Sequence, residues 1–347
     1  MIAGTSLSVR TAASRASRRF RPPPAAILLL ASFAIAPARL EAAGVQAPAG
    51  AGPSALLELD RVPAADLGRG FERWRMIGPG RDTVTGLWRA PARRRSGMRG
   101  DPPRAAEWTV VILGGVGTDD AAALLVPDTL PVGVLAVSWP WKGPRRMSQA
   151  EFVANAPAIR AALLHTPEAL ARGVAAVRRA SPGTRVAMVG ASLGVPPAVA
   201  AIPLVRVEAL VLVDGAADLE RLLQSEARRA IGEGVVAGGL AGVSASLAAW
   251  MVAPLEPSRH AAAARNIPTL LVDAEREERL PRACVARLHA IFPHATLARH
   301  PGGHLRPENR EQISSTLATT WRWLDGIGRA TGTRTLRGAR PGQTVRR

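Results

Sequence analysis

The sequence predicts an α/β fold, with a doubly wound and mostly parallel sheet and a helical cap insertion. Three observations lead to this prediction. After Glu107, short apolar β-type runs alternate with helical stretches, which is typical of a parallel sheet covered by helices. One of these strands runs directly into a Gly-x-Ser-x-Gly turn and then into an Ala-rich helix. The residues with catalytic chemistry follow strands, where the sites of doubly wound sheets lie.

The predicted elements begin with an antiparallel hairpin. Its strands, Phe71–Ile77 and Thr83–Trp88, are joined by a turn that is rich in Gly, Pro and Asp. The later strands are predicted at Trp108–Leu113, Val132–Ser138, Arg185–Val189, Ala209–Val213, Thr269–Val272 and Thr296–Arg299. The helices are predicted at Asp119–Leu125, Pro167–Ala180, after Leu193, and at Glu308–Leu324.

A long insertion over about residues 217–266 separates two of these strands, and we expect it to form a helical cap. Within it, Gly234–Leu255 carries no charge for 22 residues, which is long enough to span a membrane by length alone. Small residues at 234, 238, 242 and 246 instead suit close packing of helices. We therefore expect a cap helix rather than a membrane span, and an apolar acyl or aromatic substrate group beneath it.

The amino-terminal segment has the layout of a secretory signal. Residues 1–21 contain five arginines and no acid, and the apolar run Ala25–Ala36 that follows is too short to cross a bilayer as a helix. Ala36 and Ala38 offer small residues at a cleavage site. We expect a signal peptide over 1–38 and export to the periplasm or the extracellular space. An uncleaved membrane anchor is the alternative.

The remaining organisation follows from composition. Residues 39–66 are predicted as a linker rich in Ala, Gly and Pro, 67–325 as one folded domain, and 326–347 as a basic disordered tail. The sequence indicates no particular oligomeric state.

The formal charge of +18 first points to nucleic acid as a partner. Nearly all of the basic residues are arginines, and they cluster in runs without interleaved aromatic residues. Tyrosine is absent, so the aromatic platforms on which nucleic-acid bases stack are not indicated. We therefore expect no nucleic-acid partner.

No cofactor or metal site is indicated by the sequence. The single cysteine, Cys284, excludes a disulfide framework and a cysteine-based metal cluster. Gly115-Val-Gly117 is not a dinucleotide fingerprint, because Asp120 stands where the third glycine is required.

The strongest local signal is the Gly190-x-Ser192-x-Gly194 turn between a strand and a helix. The turn is tight, so the residues two before and two after the serine must lack bulk, and both are glycines. Ser192 is then expected to project its hydroxyl above the sheet as a nucleophile, next to the unsatisfied N–H groups of a helix start.

A serine hydroxyl needs a base within hydrogen-bond reach. His304 lies in a Pro-Gly-Gly-His turn directly after the last predicted strand, where a loop can carry it over the edge of the sheet. His300 is a local rival, but its place at the strand end indicates a packed residue. We choose His304 as the general base.

The imidazole in turn needs a carboxylate that fixes its tautomer. The strand from Thr269 opens into a loop with several acids, and Glu277 is our choice there. Glu278 in the same loop, and Asp214 and Asp218 after the preceding strand, remain alternatives.

The order Ser192, Glu277, His304 resembles that of the α/β-hydrolase superfamily over about Phe71–Leu324. The stretches 255–260, 267–272 and 277–281, together with the glycine before His304, are similar to the dienelactone-hydrolase and prolyl-oligopeptidase-like branches. Those branches usually have Asp at the position of Glu277 and Gly at the position of Ala274. The resemblance implies an oxyanion hole built from the N–H group of Leu193 and that of Gly115 or Val116.

These residues predict an exported serine hydrolase that cleaves a carboxylic ester of a small molecule through an acyl-enzyme. Amide and thioester substrates are open alternatives. The same triad could instead serve an acyltransferase, and a non-catalytic α/β-hydrolase-like binding protein is the alternative from another class.

Overall fold

One sheet of nine strands runs through the computed structural model, which describes residues 56–68, 70–91, 108–115, 118–141, 143–144, 149–231 and 248–338. The strands are β1 Glu58–Pro63, β2 Phe71–Ile77, β3 Thr83–Arg89, β4 Trp108–Leu113, β5 Gly133–Val137, β6 Arg185–Ala191, β7 Ala209–Val213, β8 Thr269–Ala274 and β9 Thr296–His300. Their order is β1-β2-β3-β5-β4-β6-β7-β8-β9. The pairings from β5 through β9 are parallel, while β1, β2 and β3 extend one edge with antiparallel pairings.

Helices cover both faces of this sheet. They are α1 Ala122–Leu125, α2 Gln149–Ala180, α3 Val195–Ala201, α4 Leu219–Ile231, α5 over 248–252, α6 Pro257–His260, α7 Arg282–Ile291 and α8 Arg310–Gly338. Alternate residues of β4 enter two separate apolar clusters. Val111 and Leu113 pack in the cluster that includes α2 and α3, while Val110 and Ile112 pack with α1 and α8. The doubly wound, mostly parallel fold predicted from the sequence is therefore confirmed.

The predicted linker is wrong over part of its length. Residues 58–63 form the edge strand β1, which pairs with β2 along its whole length. Most of its side chains face solvent, so the apolar alternation that marks a strand is weak. Arg61 contacts the carboxylate of Glu72 on β2 through two hydrogen bonds of 2.8 and 2.9 Å.

Two helices are longer than predicted. α2 begins at Gln149 rather than at Pro167, and it contains both Pro157 and Pro167. A proline lacks the N–H group of a helical hydrogen bond, which makes Pro167 resemble a helix start in the sequence. α8 continues to Gly338, so the predicted disordered tail is helical from residue 326 to that point.

A buried arginine joins α2 to the antiparallel hairpin. The side chain of Arg172 is 2% exposed, and its guanidinium lies 2.7 Å from the carboxylate of Asp82. It also donates to the backbone carbonyl of Asp82 at 3.2 Å. Because a buried cation is costly unless it is paired, this contact fixes the hairpin turn against the helix.

The described parts of the predicted cap are α4, α5 and α6. Leu219, Leu222, Val252 and Leu255 pack with α2 and α3 in one apolar cluster. The centre of the insertion, including most of Gly234–Leu255, lies outside the described residues, as do the predicted signal peptide at 1–38 and residues 339–347. In the described parts of the chain, none of the helices combines the length and apolar character needed to cross a membrane.

Candidate active site

Ser192 occupies a strained turn at the end of β6. Its φ is +52°, in the left-handed region that non-glycine residues rarely adopt. A 3₁₀ turn over Ser192–Gly194 follows and leads directly into α3. A Cβ at Gly190 would lie 2.7 Å from the carbonyl oxygen of Gly194, and one at Gly194 would overlap the carbonyl oxygen of Leu113. Both glycines are therefore required by the close approach of the backbone.

His304 reaches this turn from the loop after β9. Its Nε2 lies 2.9 Å from the hydroxyl oxygen of Ser192, although the two residues are 112 positions apart in the chain. The imidazole is buried, and β6 and β9 are separated in the sheet only by β7 and β8. The parallel arrangement brings the carboxyl ends of these strands to one edge, where the loops can meet.

Glu277 completes this chain of hydrogen bonds from the loop after β8. Its Oε2 lies 2.9 Å from Nδ1 of His304. Its Oε1 accepts hydrogen bonds from the backbone N–H groups of Arg279 at 2.7 Å and Leu280 at 3.0 Å.

Burial raises the pKa of Glu277, but the hydrogen bonds from His304 and from these two backbone groups outweigh burial, so the pKa is lowered overall. The ionised carboxylate can only accept, so Nδ1 of His304 carries a proton and Nε2 is free to accept from Ser192.

The alternative acids make other contacts. Glu278 is half exposed, accepts the backbone N–H of His304 at 3.0 Å and contacts Arg306 at 3.2 Å. Asp218 accepts the backbone N–H of Arg221 in the first turn of α4. Asp214 contacts His300. Of the four acids considered, Glu277 is the one hydrogen bonded to the ring of His304.

The loop after β4 faces Ser192. A Cβ at Gly115 would lie 3.9 Å from the Cβ of Ser192. The indole N–H of Trp139 donates to the carbonyl of Gly114 at 3.1 Å, and the backbone N–H of Trp139 donates to the carboxylate of Asp119 at 2.9 Å. Trp139 thus holds both ends of this loop, a role that the sequence does not indicate. Val116 lies outside the described residues.

A second carboxylate–histidine pair lies close to the first pair. Asp214 and His300 are 2.9 Å apart, and their side chains are 0% and 1% exposed. Burial lowers the pKa of His300, but its hydrogen bond to Asp214 and the negative charge of that carboxylate outweigh burial, so the pKa is raised.

Donor atoms of Asp214, Glu277 and His304 lie within 4.8 Å of one another, which is close enough in principle for one metal ion. Every polar side-chain atom of these three residues already has a hydrogen-bond partner in the protein. The donors are thus engaged with one another, and we assign them no metal.

The fold of the chain is similar to that of proteins with solved structures. The chain is similar to a puromycin-hydrolysing peptidase from Mycobacterium tuberculosis, with a TM-score of 0.52, 16% sequence identity and 76% of this chain covered. The chain has the α/β-hydrolase fold. It spans 40% of the length of that peptidase.

An esterase from Pyrococcus furiosus is also similar to this chain, with a TM-score of 0.47, 14% identity and 78% of this chain covered. That alignment covers 96% of the esterase. No protein-family model matches the sequence, and no curated protein matches it. At these identities the likeness concerns the fold, and the resemblance predicted from the sequence is confirmed at that level.

We expect Gly194→Ala to destabilise the folded protein by about 1–3 kcal/mol or more, because its Cβ has to displace the backbone of Leu113. Gly115→Ala is the matched control, since its Cβ meets ordinary van der Waals contact. Thermal unfolding followed by circular dichroism measures both. An equal melting temperature for the two variants would contradict the packing described for the turn.

Proposed function

We propose that the protein is an exported serine hydrolase that cleaves a carboxylic ester through an acyl-enzyme. The observation that carries the proposal is the continuous chain of hydrogen bonds from Ser192 through His304 to Glu277. Each of the three side chains has the hydrogen-bond partner that nucleophilic catalysis by an alcohol requires.

The chemistry follows from these contacts. As the Ser192 hydroxyl attacks the ester carbonyl, its proton passes to Nε2 of His304. Glu277 stabilises the imidazolium that forms, and its two backbone hydrogen bonds keep the carboxylate aligned with Nδ1. His304 then gives the proton to the leaving alcohol. A water molecule, activated by the same imidazole, releases the acid from Ser192 in the second half of the reaction.

The tetrahedral intermediate carries a negative oxygen that needs donors. The N–H group of Leu193 begins the turn after the nucleophile, and the Gly115 loop lies beside Ser192. We assign Leu193 and a backbone N–H of that loop, at Gly115 or Val116, to the oxyanion hole. The hydrogen bonds of Trp139 support this assignment, because they hold the loop in place.

A fluorophosphonate probe tests the nucleophile. We expect the wild-type protein to be labelled covalently, while Ser192→Ala is not labelled and His304→Ala reacts orders of magnitude more slowly, because the hydroxyl then lacks its base. Gel fluorescence and mass spectrometry of the labelled peptide measure this. An unlabelled wild-type protein would support a non-catalytic binding protein instead.

Exchange of two neighbouring acids tests the third member of the triad. Glu277→Gln should lower kcat for an aryl ester by roughly 10⁴-fold, because the amide favours the wrong imidazole tautomer. Glu278→Gln keeps a carbonyl oxygen that can accept the backbone N–H of His304, so its kcat should stay close to that of the wild type. Steady-state kinetics with ester and anilide substrates decide both this role and the type of bond cleaved. A larger loss in Glu278→Gln would reassign the acid.

Export is tested separately. The basic start and short apolar run within residues 1–38 support a cleaved signal. We expect amino-terminal sequencing of protein recovered outside the cytoplasm to begin at Arg39. Mature protein that begins at Met1 would contradict cleavage and favour an uncleaved membrane anchor.

A further inference from the structure

A buried carboxylate and histidine that the proposed triad does not use lie next to it. Asp214 follows β7 and His300 ends β9, so the two residues are 86 positions apart. Nε2 of His300 lies 2.9 Å from Oδ1 and 3.1 Å from Oδ2 of Asp214. Both side chains are almost fully enclosed. Burying a charged carboxylate is costly unless several donors satisfy it, so this pair depends on complete hydrogen bonding.

The third donor to Asp214 connects the pair to His304. Oδ2 of Asp214 accepts the backbone N–H of Leu305 at 2.6 Å. Leu305 is the residue after His304, and His300 lies four residues before it. One carboxylate therefore binds both ends of the six-residue segment 300–305, which we call the base loop.

Other contacts hold the outside of the base loop. The carbonyl of Pro301 accepts from the side-chain amide of Gln312 on α8 at 2.8 Å, and the carbonyl of Gly302 accepts from the backbone N–H of Arg276 at 2.8 Å. Asp214 is the anchor on the inner side, next to the triad. A carboxylate oxygen of Asp214 lies within 4.8 Å of a carboxylate oxygen of Glu277 and of a ring nitrogen of His304.

The backbone at Asp214 adopts a strained conformation that close packing around it maintains. Its φ is +47°, a conformation that Asp tolerates better than most residues but that still costs free energy. Gly215 follows, and a Cβ there would lie 2.8 Å from the side chain of Val195, the first residue of α3. The turn after β7 is thus packed closely against the helix that follows Ser192.

We propose that Asp214 and His300 are positioning residues, which close the base loop and so hold the ring of His304 at hydrogen-bond distance from Ser192. The proposal rests on the proposed function for its kinetic readout. His300 acts through Asp214, because the ring N–H of His300 fixes the carboxylate that accepts the backbone N–H of Leu305. Its raised pKa is consistent with a ring that keeps this proton.

The same strand edge offers a control pair made of the same two residue types. Asp273 at the end of β8 lies 2.7 Å from Nε2 of His289 on α7. These side chains are partly exposed, and the two residues contact each other outside the base loop. Breaking this pair removes a carboxylate–histidine contact without releasing either end of the segment that carries His304.

The test compares His300→Leu, His300→Gln and Asp214→Asn with Asp273→Asn and His289→Leu. We expect His300→Leu and Asp214→Asn to lower kcat for an aryl ester by about 10–100-fold with little change in KM, because a displacement of about 1 Å at the base costs that much. His300→Gln, whose amide can place an N–H near the position of Nε2–H, should recover most of the activity. Asp273→Asn and His289→Leu should stay within about twofold of the wild type.

Several results would overturn the proposal. One is unchanged kcat in both His300→Leu and Asp214→Asn. Another is an equal loss in the control pair. A third is a loss in Asp214→Asn as large as that in Glu277→Gln while His300→Leu remains fully active, since this would make Asp214 a direct acid. If His300→Leu does not fold, the nearly isosteric Asp214→Asn variant decides.

Crystal structures of the variants separate this proposal from the proposed function. If the wild type is not labelled by the fluorophosphonate, the hydrolase function fails, yet the positioning claim is still testable from the distance between Ser192 Oγ and His304 Nε2. We expect this distance to exceed hydrogen-bond length in His300→Leu and Asp214→Asn and to be retained in His300→Gln and in both control variants. Its retention in His300→Leu and Asp214→Asn would overturn the positioning role.

Discussion

The hydrogen bond between Ser192 and His304 joins two loops that only the sheet can bring together. β6 and β9 run parallel with two strands between them, so their carboxyl ends reach the same edge. The strained turn at Ser192 then presents the hydroxyl, and the base loop presents the imidazole. The tight packing of Gly190 and Gly194 is what permits that turn, so the site depends on the close approach of β4, β6 and α3. The packing that stabilises the sheet thus also positions the side chains of the site.

The same edge collects carboxylates, and their pairing determines what each can do. Each of four carboxylates at this edge contacts one cationic or histidine side chain. The pairs are Glu277 with His304, Asp214 with His300, Asp273 with His289, and Glu278 with Arg306. Burial and neighbouring negative charges raise the pKa of a carboxyl group, and hydrogen-bond donors lower it. Burial does raise the pKa of Asp273, whereas the donors around Glu277 lower its pKa. Glu277 must stay ionised in the proposed mechanism, and of these two acids it is the one with the more complete set of hydrogen-bond donors.

How much of this the sequence predicts depends on how local each feature is. The turn at Ser192 is encoded within five residues between a strand and a helix, so the sequence predicts it at the position where the structure has it. Glu277 and His304 both follow predicted strands, and the structure places His304 beside Ser192 and Glu277 beside His304. The sequence offers Asp214 and His300 only as separate candidates, because nothing local connects residues 86 positions apart.

The elements and contacts that the sequence does not predict also depend on residues far apart in the chain. β1 is an exposed edge strand, so its apolar pattern is too weak to distinguish it from a linker. The early part of α2 was missed because Pro167 imitates a helix start, although the helix continues through it. The contact of Trp139 with Gly114 joins the loops after two neighbouring strands, and no short motif records it. In each case tertiary packing decides the structure rather than local preference.

The most direct measurement of the central claim is a crystal structure of the protein after reaction with a small alkyl phosphonate. The account predicts phosphorus bonded to Oγ of Ser192, a phosphonyl oxygen that accepts from the N–H of Leu193, and the ring of His304 still hydrogen bonded to Glu277. An adduct on another side chain, or a ring of His304 turned away from Ser192, would contradict it.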